Sequence, residues 1–295
     1  MRRLYAVVPA KVNLGLEVVR RREDGYHDLV TLFQAVSLFD LFVWTETGGP
    51  FEYIGPVGVA RDRDLGWRVL AVAPDIDGWT GQLRVVKRIP MAAGLGGGSA
   101  DAALALRLAF PDADDAELVR RGAVIGADVP FFVRGGTALA SGTGTELVLL
   151  DMPTLWLVLV TPQIDIPGKT RTLYSGLEPG DFSDGANVRD ITMSLANEMD
   201  LPGEVPNAFS RQLLGYPVIR YAYDRLGQAG ASLVSVSGAG PTLYAVTDGY
   251  RDAARIAARL NDLDPRADAV YVVRTVAARG ATPSVVAIAD ALRGR

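Results

Sequence analysis

The chain has 295 residues, 49% apolar and 22% charged, with a formal net charge of −4. That length allows one large domain or two smaller ones around a substantial core, and the acidic balance argues against a general nucleic-acid binder. There is no cysteine and a single histidine, His27, which excludes disulfides, iron–sulfur clusters, thiolate zinc sites, cysteine nucleophiles and multi-histidine metal sites. A Ser-His-Asp triad is excluded unless His27 serves. The basic runs Arg2-Arg3 and Arg20-Arg21-Arg22 are short and read as solvated surface. Lys11 and Asn13 interrupt the apolar N-terminus, against a signal peptide, and no stretch of 18 apolar residues predicts a membrane span. The expectation is a soluble, cytoplasmic protein with small-molecule rather than nucleic-acid or membrane partners; a homodimer is compatible with it.

The elements follow in chain order. Residues 4–19 are apolar and partly alternating, with Pro9 as a break, and predict two strands or one bent strand. Residues 35–45 have strand composition, and 82–90 predict a strand ending at Pro90. Residues 99–110 are strong helix formers. A second helix is predicted over 114–127, with acidic residues in its first turn, where the helix dipole favours them. Residues 135–150 read as a hairpin. A boundary near Asp151–Pro153 divides the chain into 1–153 and 154–295. Beyond it come a buried-type strand (154–162), an irregular polar region (163–209) and a helix (216–230) with Pro217 near its start and Ile219, Ala222 and Leu226 on one face. Strands at 231–237 and 242–247, a helix at 249–261 and a strand at 269–276 complete a ferredoxin-like α+β order.

The stretch "PMAAGLGGGSADAALAL" (90–106) runs from a strand through a glycine loop into a helix. Orphan N–H groups and the positive end of the helix dipole favour an anion there, most often phosphate. Gly94, Gly96, Gly97 and Gly98 let the backbone approach it closely. Ser99 has two readings, a helix cap or a hydroxyl reaching phosphate or Mg2+. The loop is neither a G-x-x-x-x-G-K-[ST] motif nor a G-x-G-x-x-G motif. "IPGKTRT" (166–172) contains Gly-Lys-Thr, but Gln163 stands where that loop needs glycine.

The loop resembles the nucleotide-phosphate loop of the GHMP kinases (galactose, homoserine, mevalonate and phosphomevalonate kinases). "AKVNLGLEVVRRREDGYHDLVTLFQAVSLFD" (10–40), "GADVPFFVRGGTALASGTGTEL" (126–147) and "SVSGAGPTLYAV" (235–246) are similar to the same family, in order, from residue 9 to about 247. The first block, with its "DGYH", points to the branch whose acceptor is 4-diphosphocytidyl-2-C-methyl-D-erythritol. The resemblance implies a two-domain GHMP fold, an S5-like half followed by a ferredoxin-like half, with ATP and acceptor in the cleft between them. The implied reaction transfers the ATP γ-phosphoryl group, with Mg2+, to the 2-hydroxyl of that acceptor in the methylerythritol phosphate route to isoprenoid precursors.

Site residues follow from the same resemblance. Asp128 is the implied base; its plain reading is a turn or capping residue beside Pro130. Lys11 is the implied catalytic lysine, which would keep Asp128 ionised and stabilise charge on the reacting oxygens; its plain reading is a snorkelling strand lysine. Asn13, two residues on, shares its strand face and is implied to meet the acceptor. Tyr26 is implied to stack on the cytosine and His27 to hydrogen-bond its polar edge, with Tyr174 closing the other side; the plain readings are a loop histidine and a core tyrosine. The nucleotide residues are Pro90, Gly94, Leu95, Gly96, Gly97, Gly98, Ser99 and Ala100. Gly238 and Gly240 form a tight turn implied to lie beside the phosphates. The Mg2+ ligands are not identified.

The sequence departs from the family pattern at Ala100 and Ala239, where a hydroxyl is usual, at Asp64 in place of Asn, and after Asn207. The tail, 277–295, has no function in this reading. Rival readings are another GHMP kinase of the homoserine or mevalonate type, disfavoured by Tyr26-His27, a non-catalytic nucleotide-binding regulator, disfavoured by Lys11 and Asp128 together, and an RNA-binding module, disfavoured by the charge balance.

Overall fold

Alternating apolar residues draw the N-terminal segment into two long antiparallel strands, β1 (Arg3–Arg21) and β2 (His27–Pro50). A computed structural model describes residues 2–199, 201, 203–265, 268–278 and 282–294. The chain continues through β3 (Glu52–Ile54), α1 (Leu65–Leu70), β4 (Thr80–Val86), α2 (Gly97–Ala109), α3 (Asp115–Ile125), α4 (Val129–Arg134), β5 (Thr137–Ser141) and β6 (Glu146–Leu150). Next come β7 (Trp156–Pro162), α5 (Lys169–Ser175), α6 (Ala186–Ala196), α7 (Ser210–Leu213), α8 (Pro217–Gln228), β8 (Leu233–Val236), β9 (Leu243–Thr247), α9 (Tyr250–Leu263), β10 (Asp268–Arg274) and α10 (Pro283–Leu292).

The first sheet has the order β3-β4-β2-β5-β6, with β1 on the other edge of β2. The residues predicted as two strands or one bent strand form one, and Pro9 marks a register shift between Pro9 and Ala10 rather than an end. That irregularity has a structural effect. Ala6 and Val8 pack into one core with α2 and α4, whereas Ala10 and Val12, of the same parity, pack into a second core. A bulge turns the strand locally, so opposite faces are buried before and after it. Lys11 and Asn13 therefore leave the side covered by the second core and face the cleft.

The second sheet, β10-β7-β9-β8, is antiparallel throughout. Numbering its strands by chain order gives 4-1-3-2, with α8 and α9 as the crossovers, which is the ferredoxin-like arrangement. Its residues alternate as strands require: Leu157, Leu159 and Tyr244 face the second core, shared with β1 and α6, while Val158, Val160, Leu243 and Ala245 face α8 and α9. The two halves thus meet through an apolar layer. Pro217 opens α8, and Ile219, Ala222 and Leu226 form its buried face, as the spacing predicts.

The tail is ordered where it is described. Helix α10 returns to the first core through Val285, Ile288 and Leu292. Arg293 donates to the carbonyls of Leu108 and Ala109 at the C-terminal end of α2 and pairs with Asp75 at 2.6 Å. Residues 279–281 and 295 of that tail lie outside the described residues. Among the described residues no helix is long and apolar enough to cross a membrane.

Candidate active site

The glycine loop is set in place by buried charge. Asp40, fully buried in β2, accepts the backbone N–H groups of Arg88 and Ile89 at 2.7 and 2.9 Å, fixing the chain just past β4. Lys87 bridges Asp40 and Asp101, the latter at 2.7 Å in the first turns of α2. Strand end and helix start are thus tied by one ammonium. Burial presses the Asp101 carboxyl up to about 7 against the pull of Lys87, and the two carboxylates hold Lys87 above its ordinary range against its own burial. Asp101 Oδ1 is buried with no hydrogen-bond partner.

Between these anchors Ala92, Gly94 and Gly96 all have positive φ, at 52°, 80° and 72°. Gly96 is the N-cap of α2, so the helix starts two residues earlier than its composition predicts. Ser99 is therefore a first-turn residue and not the cap, leaving its hydroxyl free to face a ligand. The N–H groups of Gly97, Gly98 and Ser99 sit where a helix offers no carbonyl partner. Leu95 and Ala100 are fully buried in the two cores, and Ala100 N–H donates to Gly96, so neither side chain meets the pocket. A pocket of about 420 Å³ lies over the loop, lined by Pro90, Gly94, Gly96, Gly97, Gly98 and Ser99 among others. Asp64 also reaches it, but its carboxylate caps α1 by accepting Trp67 N–H and accepts the Tyr53 hydroxyl at 2.7 Å.

Next to that pocket runs a cleft of about 1240 Å³ that shares Ala92, Gly94 and Gly96 with it. Lys11 and Asp128 face each other here at 3.7 Å. Asp128 occupies the N-cap position of α4 but makes no capping hydrogen bond, and its side chain is 34% exposed. The capping alternative is thus not realised. Burial holds the Lys11 ammonium below its ordinary range, and the Asp128 charge offsets part of that shift. A relay continues from it: Lys11 donates to Asn13 Oδ1 at 2.6 Å, Asn13 Nδ2 to Thr31 Oγ1 at 2.8 Å, and Thr31 to the Gly15 carbonyl at 2.7 Å. The relay fixes which way the Asn13 amide points. Gly238 closes over this pair, since a Cβ there would lie 2.8 Å from Asn13 Oδ1 and 3.2 Å from Lys11 Nζ.

The far end of the cleft is aromatic. The His27 ring lies 4.8 Å from Tyr174 and 6.3 Å from Phe182, and Tyr174 packs edge-on against Phe209. Tyr26 lines the same cleft with 68% of its surface exposed, leaving its ring open to a planar ligand. Burial, then the charge of Arg21, lowers the His27 imidazole, which favours its neutral form. Burial pushes the Tyr174 phenol up to about 12, with the Asp128 charge adding to the effect. Gly240 lies at the back of its turn against Leu213 and Val236 rather than lining the cleft. Asn207 spends its amide on structure, donating to the Val236 and Gly238 carbonyls at 2.9 Å and accepting Phe209 N–H. Sequence reading missed Asp40, Lys87, Asp101, Thr31, Phe182 and Lys169; the only local signal for any of them was the Gly-Lys pair at 168–169.

A glycine loop at a helix start, opening onto a lysine–aspartate pair between an S5-like and a ferredoxin-like half, is the arrangement of a GHMP-type kinase. Family models for the GHMP kinases N terminal domain and the GHMP kinases C terminal domain match residues 66–136 and 206–265. The 4-diphosphocytidyl-2-C-methyl-D-erythritol kinase of Geobacter metallireducens is 39% identical over 264 residues, 83% of this chain and 89% of that protein. The kinase of the same name from Thermus thermophilus is 36% identical over 264 residues, 86% of this chain and 91% of that protein. A crystal structure of 4-(cytidine 5'-diphospho)-2C-methyl-D-erythritol kinase superposes with a TM-score of 0.76 at 32% identity, covering 92% of this chain and 99% of that one. The chain belongs to the 4-diphosphocytidyl-2-C-methyl-D-erythritol kinase family of GHMP kinases. The homoserine kinase of Cytophaga hutchinsonii, at 15% identity and a TM-score of 0.67, shares the fold.

Proposed function

We propose that this kinase transfers the γ-phosphoryl group of ATP to the 2-hydroxyl of 4-diphosphocytidyl-2-C-methyl-D-erythritol at the junction of the two pockets, in the methylerythritol phosphate route. The observation carrying this reading is the Lys11–Asp128 pair, which opens onto the glycine loop on one side and the aromatic end of the cleft on the other. ATP would lie over Gly94–Ser99, its phosphates toward the free N–H groups of the helix start. Asp128 would take the proton from the acceptor hydroxyl as the bond to phosphorus forms, and Lys11 would hold Asp128 ionised and meet the charge on the phosphoryl oxygens. Asn13, locked by Lys11 and Thr31, would orient the acceptor. Tyr26 would stack on the cytosine and neutral His27, steadied by Tyr174 and Phe182, would hydrogen-bond its edge.

No group of three or more metal-ligating side chains occurs among the described residues. The oxygen donors lining the loop pocket are the Ser99 hydroxyl and the carboxylates of Asp64 and Asp101, whose Oδ1 has no hydrogen-bond partner, and Asp128 lies in the adjoining cleft. That set suits Mg2+, which is held by one or two protein oxygens together with substrate phosphates and water. When bound it would neutralise phosphate charge.

The test is ADP release with Mg–ATP and, in turn, the cytidyl acceptor, homoserine, mevalonate and no acceptor. Release with the cytidyl acceptor alone supports the reading; release with another acceptor overturns the base pocket; binding of ATP without turnover favours a regulator. Tyr26→Ala should raise KM for the cytidyl acceptor roughly 5- to 150-fold, the equivalent of about 1–3 kcal/mol of base stacking. KM for ATP should hardly move. Equal increases in the two constants would remove Tyr26 from the base pocket.

A further inference from the structure

Lys169 has no place in the reading above, yet its ammonium lies at the junction of the two pockets. It is the first residue of α5, after Gly168 in a left-handed conformation. Its Nζ donates to the carbonyls of Ala92 and Gly240. Ala92 belongs to the glycine loop and lines both pockets; Gly240 belongs to the turn that closes over Lys11 and Asn13. The ammonium thus straps three separate segments together where the terminal phosphate and the acceptor would meet. Two neutral carbonyls leave its charge uncompensated, and Lys11 is near enough to repel it.

We propose that Lys169 is a second phosphoryl-binding cation, which leaves the carbonyls of Ala92 and Gly240 to contact the terminal phosphate of ATP opposite Lys11. The proposal rests on the kinase reading of the cleft. A cation kept on weak neutral acceptors beside a like charge gains most when an anion arrives, because charge-assisted hydrogen bonds are the stronger ones. The same movement would release the strap between loop and turn, linking ATP arrival to the position of the two loops. Burial and the charge of Lys11 pull this lysine down to about 8. It therefore loses its proton as pH rises through about 8, and the proposed contact would be lost with it. The other titratable or charged side chains along the cleft are Lys11, Asp128, Arg171, Tyr174, Arg21, Tyr26 and His27.

The experiment measures binding of adenosine, ADP, ATP and CDP to the full chain by calorimetry, for wild type, Lys169→Met, Lys169→Gln and Lys169→Arg. Lys169→Gln keeps a donor for the two carbonyls without the charge, so it separates strap from cation even if Lys169→Met does not fold. The expected result is ATP binding weakened about tenfold or more in the Met and Gln variants. ADP should be affected less, adenosine and CDP hardly, and Lys169→Arg should retain most of the affinity. Wild-type affinity for ATP should fall through about pH 8, and the fall should shrink in Lys169→Arg, whose charge persists. Unchanged ATP binding in Lys169→Gln would overturn the proposal, as would equal losses for adenosine and ATP. A loss confined to CDP would place the cation on the acceptor's diphosphate and overturn it too. Turnover of the cytidyl acceptor by wild type, measured alongside, shows whether the kinase reading itself stands.

Discussion

Asp128→Asn should lower turnover by about two orders of magnitude or more while leaving the affinity for ATP within a few-fold of wild type. The substitution preserves shape and removes the negative charge together with the capacity to accept a proton. It should not disturb α4, because the carboxylate makes no capping hydrogen bond there. A second effect has a definite sign. Burial already lowers the Lys11 ammonium, and the Asp128 charge counters that. Without the charge Lys11 loses its proton at lower pH, so the alkaline limb of the residual activity should move to lower pH. Single-turnover rates across a pH series and calorimetric ATP binding test both parts. Near-normal turnover would remove Asp128 as the base, and an unmoved alkaline limb would remove the coupling to Lys11.

Gly94→Ala should destabilise the fold by about 2–4 kcal/mol and abolish most ATP binding. Gly94 has φ of +80°, and a Cβ there would lie 2.2 Å from the Ser237 carbonyl oxygen and 2.9 Å from Gly240 N. Neither obstacle is a flexible side chain, so the glycine loop and the 238–240 turn must separate. Gly98 is the matched control. A Cβ at Gly98 meets only Leu65 at 3.9 Å, and an alanine within a helix is favoured over glycine by roughly 0.5–1 kcal/mol. Gly98→Ala should therefore fold at least as well as wild type, and any loss of ATP affinity would report close approach of the phosphate. Urea denaturation paired with ATP titration separates the two glycines; equal stability losses in both variants would contradict this division of labour.

That contrast shows how far the sequence could be read. It marked the glycine run as a phosphate loop, because four glycines before a clean helix have few other uses. It did not reveal that Gly94 serves packing against a turn more than 140 residues later, a contact set by the meeting of the two halves. Lys11 and Asn13 were legible as a pair because strand spacing places them on one face. The register shift beside Pro9, which decides that this face opens to the cleft, arises from two extra residues in β2, Ser37 and Leu38, and so is not written in β1 itself. The Asp40–Lys87–Asp101 cluster draws on three elements, and no local pattern links them. Lys169 was visible only as part of a failed phosphate-loop motif; its meaning comes from the carbonyls it reaches. Asp64, read as a departure, is a helix cap for Trp67 three residues on, whereas Asn207, read as kept, is a turn clasp whose partners lie 29 and 31 residues later.

Helix α10 carries a consequence for how the molecule is made. Domains commonly fold in the order they leave the ribosome. Here the core that begins at Ala6 is sealed by Val285, Ile288 and Leu292, and Arg293 holds the carbonyl end of the helix whose other end carries the glycine loop. The first half of this kinase is therefore synthesised long before it can close. Its apolar surface on this side stays open until α10 is made, and the helix that starts from the glycine loop gains its last support from a residue added 185 positions after its partner Leu108.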